Sequence, residues 1–169
     1  MSAKQHMHTV KTTEDARLIA DLARVIWTEH YTPIIGSGQV EYMLENFQSP
    51  QRILQDVTQQ GYTYIWLEQD GKPAAYMAYR FDFGDEACFL SKLYVSKSCR
   101  GRGLARILVD HLVQCCQNNQ LKMIWLTVNK NNSQSIEAYK KMMFHKTRSI
   151  ITDIGGGYVM DDAVMQRDL

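Results

Sequence analysis

Residues 93–105 read Leu93-Tyr94-Val95-Ser96-Lys97-Ser98-Cys99-Arg100-Gly101-Arg102-Gly103-Leu104-Ala105. An apolar strand-like run gives way to a basic loop with two glycines. Leu104, Leu108, His111, Leu112 and Cys115 then recur at the spacing of a buried helical stripe. The stretch is therefore strand, loop and helix. Glycines let the backbone come close to a ligand, and the first amides of the helix point back at the loop. Such a turn suits a pyrophosphate through its amides and the positive end of the helix dipole. Arg100, Arg102 and Arg106 can add charge-assisted contacts to phosphate oxygens. No Gly-Lys-Ser/Thr closes the loop, and the G-x-G-x-x-G spacing of dinucleotide sites is missing. Taken alone, the loop reads equally as a turn that merely packs strand on helix.

Working outward, Met123 to Val128 is a short apolar strand, so strand, helix and strand make a βαβ unit with a parallel pair. A helix from Ser133 to Met143 and two strands, His145 to Thr152 and Tyr158 to Arg167, follow. Upstream, Tyr62 to Gln69 and Pro73 to Phe83 form a hairpin across Asp70-Gly71, and Gly84-Asp85 turns the chain into a run from Ala87 to Val95. Met7 to Thr12 is expected as an edge strand. A first helix carries Leu18, Leu22, Val25 and Ile26 inward, capped at Thr12 or Thr13 and broken by Pro33 and Gly36-Ser37-Gly38. A second helical region spans Gln39 to Gln60, interrupted near Ser49-Pro50. The plan is an α/β fold: a mixed, mostly antiparallel twisted sheet with a parallel central pair, flanked by helices.

The 169 residues suit one domain over 1–169, and 45% hydrophobic with 22% charged residues is an ordinary globular composition. A net charge of +1 offers nucleic acid or a membrane surface no bulk attraction. No apolar run approaches the roughly 20 residues that span a bilayer, and Met1 to Thr12 lacks the apolar stretch of a signal peptide. The expectation is a cytoplasmic protein. Cys88, Cys99, Cys115 and Cys116 form no C-x-x-C pair, which argues for free thiols and against a metal site. Asn131-Asn132-Ser133 fits a glycosylation sequon, but without a secretory signal it reads as chance.

Arg100-x-x-Gly103-x-Ala105 after Leu93-Tyr94-Val95 resembles the acetyl-CoA signature of the GNAT N-acetyltransferases. A second block stands at that family's usual distance: Val128-Asn129-x-x-Asn132-x-x-Ser135-Ile136-x-x-Tyr139-x-Lys141-Met142-x-Phe144. The element order fits the family over nearly the whole chain, while the parts before Tyr62 and after Phe144 match only in layout. The resemblance implies acetyl-CoA as cosubstrate and a central parallel pair that splays apart. The backbone of Leu93 and Val95, flanking Tyr94, would pair with the pantetheine arm, and an amide there would polarise the thioester carbonyl. Arg100, Gly101, Arg102, Gly103, Leu104 and Ala105 would hold the pyrophosphate. Asn132 would touch the pantetheine and Tyr139 would protonate the departing thiolate. Spacing alone would make Tyr139 a packing aromatic and Asn132 a helix cap. Two departures stand out. Ala105 replaces the commoner glycine, and Met143 sits where a glycine normally precedes Phe144, so a different turn is expected there.

Acyl transfer to an amine needs the neutral nucleophile, while alkyl amines titrate near about 10. A carboxylate could accept the proton, directly or through water. Glu29, Asp82, Asp85 and Glu86 lie in segments that could border an acceptor cleft, and the resemblance selects none of them. Glu29 stands with Trp27, His30 and Tyr31 at the end of the first helix, where the family shapes its acceptor site. An acidic and aromatic mouth suits a cationic amine. The Trp27–Tyr31 and Tyr158–Asp162 runs are faintly similar to polyamine acetyltransferases of the PaiA type, which implies a small-molecule amine such as a polyamine. The alternatives are a protein or peptide amine, a non-catalytic acetyl-CoA-binding module, or an unrelated nucleotide binder. The last would need a carboxylate about 20 residues past the loop, where Leu121-Lys122-Met123 stands instead. A homodimer through the last strands is in keeping with such folds. Gly155-Gly156-Gly157 reads as a turn or a close backbone approach, and Asp161-Asp162 as a charged edge that discourages pairing or a binding rim.

Overall fold

The computed structural model describes residues 5–169. Gln5–Thr9 form β1, which pairs antiparallel with a later strand from Gln5↔Gln69 to Thr9↔Ile65. Thr12 then caps helix α1, Thr13–Ile35. Its hydroxyl accepts the Asp15 amide at 3.1 Å, and the Asp15 carboxylate takes the Thr12 amide at 2.9 Å. This reciprocal box satisfies two of the donors that a helix start leaves open. The buried stripe is Ala16, Ile19, Ala23, Ile26 and Trp27. It is rotated from the expected one: Leu18 and Leu22 flank it and Val25 is 56% exposed. Small Ala16 and Ala23 carry the close contacts, and an apolar count underweights alanine. Pro33 does not break α1 but rides in its last turn. The helix ends at Gly36, whose φ of 86° no β-branched residue would hold.

Helices α2 (Ser37–Phe47) and α3 (Pro50–Gln59) follow, with Ser49 capping α3 through the Arg52 amide at 3.2 Å. Strands β2 (Tyr62–Gln69) and β3 (Lys72–Asp82) are joined by Asp70 and Gly71, whose φ values of 53° and 78° give the turn that matches strand twist. β3 is buried continuously from Ala74 to Tyr79, as expected of a strand covered on both faces. Next come β4 (Ala87–Val95), helix α4 (Leu104–Asn118), β5 (Met123–Asn129), helix α5 (Ser133–Lys141) and the hairpin β6 (His145–Gly155) with β7 (Tyr158–Asp168). The seven strands follow the order β1-β2-β3-β4-β5-β7-β6; β4–β5 is parallel, while β1–β2, β2–β3, β5–β7 and β7–β6 are antiparallel.

Contacts resolve the chain into two compact units: one runs up to Arg80 with Lys92–Leu108, the other is Phe81–Ser91 with Val109–Leu169. The divisions fall inside β4 and inside α4. In the first unit, α1 packs on α2 and α3, and α3 packs on β2. Ile19, Ile26, Val40, Ile53, Leu67 and Met77 are its main buried aliphatics. The Tyr64 hydroxyl donates to buried Asp56 at 3.0 Å, and Arg52 donates to the same carboxylate at 2.8 Å. This tie between α3 and β2 has no signature in the sequence. In the second unit β5 pairs with β7 along its whole length, and β7 with β6. Asp161 and Asp162 are therefore interior to the sheet, not on its edge: Asp162 faces Asn129 on one side and Ile150 on the other. The glycine run is the hairpin turn, with Gly156 and Gly157 at φ 61° and 79°.

The end of α5 decides what Met143 does. The Phe144 amide reaches back to the Tyr139 carbonyl at 3.0 Å and the Met143 amide to that of Lys140 at 3.0 Å. Tyr139 and Phe144 meet edge to face, with centroids 5.7 Å apart. These are the two bonds and the apolar contact of a Schellman cap, which places its C′ residue in the left-handed region. Met143 occupies that position at φ 70°, with 72% of its surface exposed. The turn is thus the one a glycine would make, and the expected change of turn is absent. A left-handed non-glycine residue costs about 1 kcal/mol, partly offset by the extra unfolded-state freedom of glycine. Met143→Gly should accordingly raise stability by roughly 0.5–1 kcal/mol, because the side chain it removes packs on little. Equilibrium denaturation checks this, and a loss of stability would refute it.

Candidate active site

The parallel ladder between β4 and β5 comprises Ala87↔Met123, Cys88↔Ile124 and Phe89↔Trp125. β4 runs on to Val95 and β5 to Asn129. The later residues of β4 include Leu93, Tyr94 and Val95, all half-buried. A strand that outruns its ladder keeps backbone donors and acceptors available for an extended ligand. This is the splay that the sequence led one to expect.

β4 leads through Ser96, whose amide is held by the Ala74 carbonyl at 2.8 Å, into a short 3-10 turn at Lys97–Cys99. Gly101 and Gly103 follow at φ 75° and 78°. A Cβ at either would meet nothing within 4 Å, so the left-handed backbone and not lack of space calls for glycine. The Arg100 Nε donates to the Val95 carbonyl at 3.3 Å, folding that side chain back over the strand end. Arg102 and Arg106 are exposed. Helix α4 closes its first bond from Ile107 to the Gly103 carbonyl at 3.0 Å, so the amides of Leu104 and Ala105 precede the helical ladder. Backbone donors, a helix N-terminus and arginines converge on one turn, and that combination receives phosphate oxygens. Leu104 is itself buried and anchors the turn to the core.

The same unit holds an aromatic cluster. The Tyr94 ring lies 5.4 Å from Trp27, 5.4 Å from Tyr76 and 6.1 Å from Tyr31. The Tyr31 and Tyr94 hydroxyls are 3.1 Å apart, and His30 stands edge-on to Tyr31 at 5.0 Å. Sequence reasoning picked out Trp27, His30 and Tyr31 but missed Tyr76 and the side chain of Tyr94; β3 is buried on both faces, so no alternation singles out Tyr76. Tyr76 is wholly buried, and burial pushes its phenol well above the ordinary tyrosine value. Its hydroxyl and the Trp27 indole N–H are both buried without a hydrogen-bond partner of good geometry. Nearby, burial pushes the Lys92 ammonium down to about 8, with Nζ 5.7 Å from the Tyr64 ring centroid. Glu29 is exposed on α1. It lies two residues from both Trp27 and Tyr31, hence about 200° around the helix from each.

The second unit carries the other expected residues. Asn132 is 3% exposed and caps α5, its side-chain oxygen accepting the Ser135 amide at 3.3 Å. Its own amide donates to the Asn129 carbonyl at 2.9 Å, and the Asn129 side chain takes the Asn131 amide at 2.9 Å. The β5–α5 loop is thereby held rigid. Tyr139 is half-buried on α5, one turn before the Schellman cap. The remaining carboxylates are engaged locally: Asp82 accepts the Asp85 amide at 3.3 Å, and Glu86 pairs with Lys122 at 3.2 Å. Cys88, Cys99, Cys115 and Cys116 are free thiols. No group of three or more His, Cys, Asp or Glu among the described residues is arranged to hold a metal ion.

A strand that outruns its ladder and feeds an anion-receiving glycine loop is the frame of a coenzyme A-dependent transferase. The chain belongs to the acetyltransferase (GNAT) family, whose profile matches residues 21–144. It is 26% identical over 82 residues, 48% of its length, to streptothricin acetyltransferase of Streptomyces lavendulae. It is 31% identical over 70 residues, 41% of its length, to a peptidyl-lysine N-acetyltransferase of Salmonella typhimurium. These stretches span 43% and 45% of the two relatives, less than half of each. Among solved structures, the PaiA N-acetyltransferase of Thermoplasma acidophilum in complex with coenzyme A superposes with a TM-score of 0.78. That likeness covers 97% of this chain and 99% of the other at 15% identity, and so speaks for the fold alone.

Asp162, expected at a charged edge, is instead interior to the sheet. It is 5% exposed, with Oδ1 unpartnered, and burial next to Asp161 pushes its carboxyl up to about 6. A folded-state value raised from 3.8 means the native protein binds the extra proton between about pH 4 and about pH 6. Stability should fall as pH rises through that window and level off above it. Asp162→Asn removes the buried charge and should gain on the order of 1–2 kcal/mol near pH 7.5, with little gain near pH 4. Urea denaturation of both proteins at the two pH values checks it; an equal effect at both would refute the titration.

Proposed function

We propose that this protein is an acetyl-CoA-dependent N-acetyltransferase whose acceptor is a primary amine on a small molecule, a polyamine being the favoured class. The observation that carries the reading is the Arg100–Ala105 turn, with left-handed Gly101 and Gly103 between the free end of β4 and the start of α4. The backbone of Leu93 and Val95 would hold the pantetheine arm as an added strand, with Tyr94 between them turned to the aromatic cluster. Gly101, Gly103, Leu104 and Ala105 would offer amides to the pyrophosphate, and Arg100 and Arg102 charge. Asn132 would reach the pantetheine from its cap position.

In the reaction the neutral amine attacks the thioester carbonyl directly within a ternary complex. The C–N bond forms, the oxyanion is held by a β4 amide, and the C–S bond breaks as Tyr139 gives its proton to the thiolate. Glu29, exposed as it is, would take the amine proton through water. The Trp27, Tyr31 and Tyr94 cluster supports a cationic acceptor, since tyrosine and tryptophan faces attract ammonium groups. The names of the two relatives divide between a small molecule and a protein lysine, and the fold neighbour is of the PaiA kind. The peptide-lysine reading is therefore the second one. A single domain over 1–169, a cytoplasmic location and a homodimer through edge strand β6 belong to the same proposal. Among the described residues no helix is long and apolar enough to cross a membrane.

Coenzyme A release, followed across spermidine, aminoglycosides, amino acids and lysine peptides, tests the acceptor; turnover confined to peptides would overturn the small-molecule assignment. Tyr139→Phe should lower kcat by roughly 100-fold, the scale of a lost general acid, with little change in acetyl-CoA affinity. A normal kcat would remove the proton-donor role. Replacing Arg100 and Arg102 together by alanine should weaken acetyl-CoA binding by at least about tenfold, as expected for two lost charge-assisted contacts. Titration calorimetry reads this directly, and unchanged affinity would discredit the phosphate turn.

A further inference from the structure

Helices α1, α2 and the start of α3 enclose a cavity of about 250 Å³ in the first unit. Asp21 and Arg24 of α1, Glu45 of α2, and Gln48 and Ser49 of the α2–α3 corner line it. Gln48 is the C-terminal cap of α2 and Ser49 the N-terminal cap of α3, so the corner pins the Gln48 backbone between two helix ends. The residue is 1% exposed, and both Oε1 and Nε2 are buried without a partner. A buried amide left unsatisfied at both ends carries the desolvation cost of two polar groups with nothing to offset it. A leucine or methionine would fill the same corner without that cost. Among the buried glutamines Gln39, Gln48 and Gln69, only for Gln48 are both side-chain polar atoms unpartnered.

The charge around the cavity has one sign in excess. Arg24 is held by Glu41 at 3.0 and 3.1 Å, and Glu45 and Asp21 also stand close enough to hold its guanidinium in the charged form. Three carboxylates thus surround one guanidinium. A ligand there is favoured as a cation, and a ligand carboxylate would meet Asp21 and Glu45. The Gln48 amide needs one donor for Oε1 and one neutral acceptor for Nε2. The terminal torsion of glutamine is soft, so the amide can turn toward the cavity without leaving its corner. A volume of about 250 Å³ admits a molecule of amino-acid size and falls just below common drug-sized pockets.

We propose that this cavity is a binding site for a small primary ammonium ion carrying a neighbouring neutral acceptor, as in an amino alcohol or an amino-acid amide. The ammonium lies between the Asp21 and Glu45 carboxylates and donates to Gln48 Oε1. The hydroxyl or carbonyl of the same molecule accepts from Gln48 Nε2. Arg24, Asp21 and Trp27 belong to one helix, and Arg24 and Tyr31 are seven residues apart, about 10 Å along the axis. Occupancy therefore bears on the helix that carries the proposed acceptor mouth, yet the site itself does not depend on that reading.

The test is binding without acetyl-CoA, so that it stands apart from turnover. Glycinamide and ethanolamine are titrated into the full chain while the Gln48 side-chain amide signal is followed by ¹⁵N NMR. Propylamine (no acceptor), glycine (a carboxylate) and glycerol (no charge) are titrated alongside. The Gln48 signal should shift with the first two, and propylamine and glycine should bind roughly tenfold more weakly, as for a lost or opposed charge-assisted bond. Gln48→Met, which fills the corner with an apolar chain of like length, should fold at least as stably and lose the preference for glycinamide over propylamine. Asp21→Asn with Glu45→Gln should weaken both amines. Tyr139→Phe should leave binding unchanged, which separates this site from the acyl-transfer centre. Equal affinity of Gln48→Met for glycinamide, or no shift of the Gln48 amide with either probe, would overturn the proposal.

Discussion

Three register pairs join β4 to β5. That brevity is the constraint from which the candidate site follows. In a parallel ladder each residue pair commits backbone groups on both strands, so a strand longer than its ladder retains donors and acceptors at its far end. β4 has such a remainder, Leu90–Val95. Its backbone there lies beyond the β5 ladder, and the side chains of Lys92 and Tyr94 pack within the first unit. Leu90 is buried, Lys92 lies against Tyr64, and Tyr94 joins Trp27 and Tyr76. On its other edge β4 neighbours β3 in the sheet.

The turn after β4 depends on the same arrangement. Ser96 is tied to Ala74, Arg100 to Val95, and Leu104 is sunk in the core, so both ends of the glycine loop are fixed. Between those ends Gly101 and Gly103 take the left-handed backbone that leads into α4. A loop of identical composition with free ends would spread its backbone donors and pay their ordering entropy on binding. Preorganisation, more than the arginine count, is what would suit the turn to the proposed phosphate contact.

The second unit contributes stiffness of another kind. Asn129, Asn131 and Asn132 close the β5–α5 loop with short local bonds, and the Schellman cap fixes the far end of α5. Tyr139 stands between these two fastenings. Retention of the cap with methionine in the left-handed position shows how strongly the backbone bonds and the Tyr139–Phe144 contact dictate the turn. A strained φ is accepted where the surrounding bonds overdetermine it.

Much of this was legible in the residues. Strand alternation, the Asp70-Gly71 turn and the glycine-arginine loop each act over a few residues, through φ preferences and period, and so they announced β2 to β4, the βαβ unit and the glycine turn before α4. The α1 stripe was read one position off because alanine carries little apolar weight, yet its small size is what lets helices approach. Asp162 was taken for an edge because nothing local says that β6 will add outside β7. Likewise the Asp56–Tyr64 bond between α3 and β2, the Tyr76–Tyr94 contact and the stranded amide of Gln48 join different elements or depend on what fails to reach them. Local conformation was determined by the sequence directly, because backbone sterics and turn chemistry are short-ranged. Burial, pairing and unsatisfied groups were decided only by the tertiary structure, because desolvation is a property of everything that surrounds a group.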